Sequence, residues 1–117
     1  MKNLGLLLLI ATSMSAFAAD AAIKGHLVDI NCSSDFGDRP GWAAKHSKKC
    51  LQMLPCEKSG YGVLTEDRKI IKFDDDGNQK AKKFIADLTK NNDVKVTVTG
   101  SVDGSASTMT VSKIELQ

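Results

Sequence analysis

Four residues between positions 32 and 56 carry side chains suited to chemistry: Cys32, His46, Cys50 and Cys56. Two of the thiols can oxidise to a disulfide and leave the third free. Alternatively, three thiolates and an imidazole supply the soft and borderline donors that suit tetrahedral Zn²⁺, and thiolate-rich sites also suit Cu(I). Cys50 alone can serve as a nucleophile if His46, Lys48 and Lys49 favour its thiolate and a third group orients the histidine. The sequence does not identify that third group. The spacing His-x3-Cys-x5-Cys matches no standard zinc finger, and there is neither a CxxC redox pair nor a CxxCH haem-attachment motif.

The elements around these residues decide which of them can meet. Trp42 to Leu54 has no interior glycine or proline and reads as a helix that Pro55 stops. On such a helix His46 and Cys50, four positions apart, are separated by about 40° around the axis and can touch. The same spacing makes Trp42, His46, Cys50 and Leu54 a packing stripe, in which His46 is a satisfied structural side chain. Cys32 follows the first strand and Cys56 precedes the second, so a Cys32–Cys56 bridge would close the neck of this insertion if those strands pair. Cys50–Cys56 is the main competing bridge, and sequence alone does not choose among the three pairings. In the chain-entropy model the neck bridge contributes about 3.5 kcal/mol. That is a large share of the roughly 5–15 kcal/mol expected for a domain of this size.

Strand signals surround the insertion. Ile23 to Ile30 begins with alternating apolar residues and runs into the polar group Asn31–Asp35, read as a loop, with His26 a structural residue on the solvent face. Gly60–Thr65 and Ile70–Phe73 flank a polar turn and read as a hairpin. Ala81, Phe84, Ile85 and Leu88 have the i, i+3, i+4, i+7 spacing of one buried helical face. Asp74, Asp76 and Asn78 imitate the start of a calcium loop. Gly77 is out of position, however, and Ile85 stands where a bidentate glutamate belongs, so a capped helix is expected instead. Val94, Val96 and Val98 alternate in a fourth strand. In the fifth, from Thr108 to Leu116, the apolar phase switches from Met109 and Val111 to Ile114 and Leu116, which predicts a bulge near Ser112–Lys113. The order predicts a mainly β, α+β fold: a small five-stranded OB-like barrel with a helix between strands 3 and 4 and a helical, cysteine-containing insertion between strands 1 and 2. Another small α+β sandwich is compatible with the same order.

Residues 1–18 have the layout of a cleavable secretory signal. Lys2 gives a positive start, Leu4–Ala11 an apolar run too short to span a bilayer, and Ala16-Phe17-Ala18 a cleavage site after Ala18. The expectation is a single domain at 19–117 that is periplasmic or secreted and has no membrane span in its mature form. The 16 basic and 14 acidic residues nearly cancel, and Phe36, Trp42, Tyr61, Phe73 and Phe84 are scattered. Both features argue against a nucleic-acid partner, which needs a positive groove and stacking aromatics.

At Lys45-His46-Ser47-Lys48-Lys49-Cys50 and Cys56-Glu57-Lys58-Ser59-Gly60-Tyr61-Gly62-Val63 the chain resembles a group of small, exported, uncharacterised bacterial proteins. The likeness continues through Ile71–Asp74, Gly77-Asn78 and Val96–Gly100. It implies a signal-bearing chain with a Cys/His-containing insertion before a β-rich body, and it brings no activity with it. The favoured function is a non-enzymatic binding or interaction domain for an extracytoplasmic protein or small ligand. A disulfide drawn from Cys32, Cys50 and Cys56 stabilises it, and the surface of the insertion, with Trp42, Lys45, Lys48 and Lys49, meets the partner. The alternatives are a Zn²⁺ or Cu(I) site made by Cys32, His46, Cys50 and Cys56, and a thiol enzyme centred on Cys50.

Overall fold

In a computed structural model the described residues are 20–117, so the expected signal at 1–18 lies outside them. Five strands, β1 (Ala21–Asp29), β2 (Tyr61–Leu64), β3 (Ile70–Phe73), β4 (Lys95–Asp103) and β5 (Thr108–Leu116), form one sheet closed into a ring in the order β1-β2-β3-β5-β4. The β3–β5 pairing is parallel and the other four are antiparallel.

Pleating places alternate residues inside the ring, where Leu27, Val63, Val96, Val98, Met109 and Val111 are each at most 3% exposed. The expected phase switch in β5 has its bulge. Thr99 pairs with Lys113 and Gly100 with Val111, so Ser112 is the extra residue. Met109 and Val111 thereby face the core, and Ile114 packs against its edge.

Helix α5 (Asp75–Ala86) covers the ring with Ala81 and Ile85, and Leu88, just beyond its end, stays buried with them. The calcium-like run is the start of this helix. Asp74 is the N-cap, and its Oδ1 accepts from the Gly77 amide at 2.9 Å and the Val111 amide at 3.3 Å. Asp75 and Asp76 in the first turn suit the positive end of the helix dipole.

The insertion departs from the sequence reading. Asn31–Phe36 belongs to a helix, α1 (Ile30–Phe36), rather than a loop, because Asp29 caps it and accepts from the Cys32 amide. The expected single helix over Trp42–Leu54 is three short ones: α2 (Trp42–Lys45), α3 (Lys48–Leu51) and α4 (Leu54–Ser59). His46 breaks the first with an extended ψ of 127°, and Ser47 caps the next by accepting from the Cys50 amide. Pro55 stands in the first turn of α4 and opens a helix instead of stopping one, since its missing N–H has no partner to lose there. This helical cover explains why Val28 and Asp29 of β1, and all four residues of β2, are buried on both faces of the sheet.

Helix α5 approaches the ring closely at Gly77, where a Cβ would stand 2.6 Å from Val111 Cγ2 and 2.7 Å from Asp74 Oδ1. Alanine normally gains about 1 kcal/mol over glycine within a helix. Gly77→Ala is nevertheless expected to destabilise the domain by about 1–3 kcal/mol, the overpacking cost, in a urea unfolding curve. A gain in stability would contradict this packing.

Candidate functional site

The base of the insertion is organised by Asp29, the last residue of β1, which has no exposed surface. Its Oδ2 accepts from the Cys32 amide at 2.9 Å, and its Oδ1 is 2.7 Å from His46 Nε2. His46 is 7% exposed. Trp42 lies over it with ring centroids 4.5 Å apart, Phe36 lies 6.4 Å beyond Trp42, and the Arg39 guanidinium carbon is 4.8 Å from the Phe36 centroid. The expected Trp42–His46 contact therefore forms, although the helical stripe that would have carried it on to Cys50 and Leu54 does not. Among the described residues, every buried side-chain nitrogen or oxygen has a hydrogen-bond partner.

The sulfurs of Cys32 and Cys56 meet here at 3.8 Å, at the neck where Asp29 pairs with Tyr61 across β1 and β2. Cys56 is buried and Cys32 half-buried. An Asp29 oxygen and the two sulfurs lie within 4.8 Å of one another, a compact group of three donors. Of the Cys32, His46, Cys50 and Cys56 set offered as an alternative from sequence, the structure brings Cys32 and Cys56 together beside Asp29, and this compact group does not include His46 or Cys50. His46 acts on Asp29 instead. Cys50 is half-buried on α3, with its amide held by Ser47.

Burial disfavours charge at this neck. It pushes the Cys32 thiol up to about 12, helped by the Asp29 charge and the Cys56 sulfur beside it. The Cys56 thiol rises for the same leading reasons, burial and Asp29. Neither is an activated nucleophile at neutral pH. Burial alone would raise Asp29 too, but the His46 hydrogen bond, the Cys32 amide and the His46 charge together hold it below the usual carboxylate value. Tyr61 is raised to about 12, first by burial and then by Glu57, Asp29 and Cys56, and its hydroxyl donates to the Leu51 carbonyl at 2.6 Å.

The expected binding surface divides. Trp42 is half-buried in the aromatic stack, while Lys45 and Lys49 are exposed. Lys48 is a structural residue. Its Nζ donates to the carbonyls of Leu88 at 2.6 Å and Ala86 at 3.5 Å, where the C-terminal end of α5 favours a cation. The Lys48 amide donates to Asn91, and Ser47 bridges Asn92, so α3 is fastened to the segment before β4. On β1 the His26 ring has a carboxylate partner, its Nε2 lying 2.7 Å from Asp93 Oδ1.

Asp29 is the residue that cysteine and histidine spacing does not reveal. Its signal is nonetheless present in the sequence, an aspartate three positions before Cys32 at a strand's end, which is the pattern of a helix N-cap. No family model, curated protein or solved structure matches the chain.

Because Asp29 binds its proton more weakly folded than unfolded, it contributes stability at neutral pH that is lost as pH falls through its folded pKa, below 3.8. Asp29→Asn is expected to cost about 3 kcal/mol at pH 7, since it leaves His46 without its carboxylate, and to flatten the acid limb of the stability profile. A variant with unchanged stability and an unchanged acid limb would contradict this role, with urea unfolding from acid to neutral pH as the check.

Proposed function

We propose that the chain is an exported, non-enzymatic binding domain built on an OB-like barrel, in which a Cys32–Cys56 disulfide fixes the insertion as a recognition surface. The observation that carries this reading is the contact of the two sulfurs at the neck of the insertion. The barrel part rests on the ring order β1-β2-β3-β5-β4 with α5 between β3 and β4. In barrels of that kind the loop after the first strand commonly takes part in ligand binding. The export part rests on residues 1–18 and on the presence of several cysteines in a small chain, which suits an oxidising compartment. No helix among the described residues is long and apolar enough to cross a membrane.

Oxidation forms one S–S bond and removes two protons and two electrons from the thiols, which an exogenous disulfide accepts as it is reduced to two thiols. The bridge spans 24 positions, a loop whose closure is worth about 3.5 kcal/mol in the chain-entropy model. A catalytic reading is less favoured. Asp29 supplies the carboxylate that orients His46, but among the described residues no hydrogen bond joins the Cys50 sulfur to the His46 ring, as a nucleophile and its base require.

A second reading has its own observation, the Asp29, Cys32 and Cys56 donors within 4.8 Å of one another. These two thiolates and a carboxylate would hold Zn²⁺, with Cu(I) an option for the sulfurs, and His46 would orient the carboxylate from behind. A closed structural zinc site takes four ligands, and these residues supply three. That shortfall favours the bridge.

Intact mass after export, with alkylation under non-reducing conditions, separates the two. The disulfide reading expects one blocked thiol, Cys50, and a Cys32–Cys56 peptide in the digest. It also expects Cys32→Ser to lower stability by about 2–4 kcal/mol while Cys50→Ser leaves the bridge intact. Three alkylated thiols together with a bound metal ion would overturn it in favour of the second reading.

A further inference from the structure

A cleft of about 340 Å³ opens on the outer face of β1, between that strand, the Gly37–Ala44 segment that leads into α2, and the β2–β3 turn. Its size falls in the range of small-molecule sites. Lys24 and His26 occupy alternate, outward positions of β1, and Lys95 is the cross-strand partner of His26 on β4. Arg39 comes from the insertion and Arg68 from the β2–β3 turn to complete the lining.

The charge is one-sided. Glu66 lines the cleft together with Gln117, and Asp93 is engaged by His26. Against these stand four permanent cations, Lys24, Arg39, Arg68 and Lys95, none of which is ion-paired among the described residues. Outside the cleft Lys69, Lys80, Lys82, Lys90 and Lys113 each have a carboxylate within 4.0 Å, while Lys45, Lys49, Lys58, Lys72 and Lys83 have none. Cationic side chains gathered on neighbouring strands repel one another unless an anion shares them.

Both arginines are held in place, Arg68 at local cost. Arg39 is stacked on Phe36 at the end of the aromatic series that leads to His46 and Asp29. Arg68 adopts a left-handed φ of 61°, where glycine or asparagine is easier, and its Nη1 donates to the Asp38 carbonyl at 3.1 Å, joining the β2–β3 turn to the insertion. Pro40, Ala43 and Leu64 add apolar wall.

We infer that this cleft binds a small organic molecule through an oxyanion group, a carboxylate or a phosphate, received by Arg39, Arg68, Lys24 and Lys95. The site gives the binding reading of the preceding section its ligand class, and it rests on that reading because the insertion supplies one wall.

Two-dimensional ¹⁵N–¹H spectra of the exported protein at low ionic strength, titrated with inorganic phosphate, with succinate and with chloride at matched ionic strength, test it. Phosphate or succinate, or both, should cause saturable shifts at the amides of Gly25, Gly41, Thr65 and Lys95, and whichever acts identifies the oxyanion. Arg39→Gln combined with Lys95→Gln should weaken that binding about ten-fold, whereas Lys45→Gln combined with Lys49→Gln, outside the cleft, should leave it unchanged. Chloride matching the oxyanions, or equal affinity in the Arg39/Lys95 variant, would overturn the site. One blocked thiol with no oxyanion response would remove the cleft proposal and leave the stapled domain standing. Three free thiols would remove the staple, whatever the titration shows.

Discussion

A carboxylate with no access to water is tolerated only if its oxygens are satisfied, and Asp29 meets that condition by binding two parts of the insertion at once. One oxygen starts α1 through the Cys32 amide, and the other fixes His46, whose extended backbone ends α2. Moving either would strand a buried charge. The position of Cys32, the break at His46 and the seat of the Trp42 ring all follow from this requirement, and the insertion is a defined lobe because of it.

The lobe is fastened a second time on its far side, by Lys48 at the carbonyl end of α5 and by Ser47 against Asn92. Between these two attachments the chain is short of regular helix, and its three four- to seven-residue helices α1, α2 and α3 would not persist alone in water. The proposed Cys32–Cys56 link at the neck would act on the same weakness from the side of the unfolded chain. The raised thiols are consistent with that role: next to Asp29 a thiolate is disfavoured, whereas a neutral S–S bond brings no charge into the neck.

The sheet is largely legible in the sequence because its signals are local. Alternation marks Val96 and Val98, the phase change in β5 locates the bulge at Ser112, and the i, i+3, i+4 spacing marks α5. The convergence of Cys32 and Cys56 also follows from a simple premise, that β1 and β2 pair. The insertion is not legible in the same way. An unbroken run without glycine or proline suggests one helix, but a contact 17 positions away, His46 to Asp29, outweighs local propensity. Lys48 looks like a free surface cation until the end of α5 is placed beside it. The basic cleft depends on the register of β1 against β4 and on a turn brought in from the insertion, and neither can be read from spacing.

The central role of Asp29 is open to residue-resolved amide hydrogen exchange on the reduced protein, wild type against Asp29→Asn. The Cys32, Gly37 and His46 amides, each hydrogen-bonded in the structure, should exchange slowly in the wild type and become fast together in the variant, while those of Val98 and Val111 in the ring remain slow. Unchanged protection of the Cys32 and His46 amides in the variant would show that the lobe is held by something other than this carboxylate.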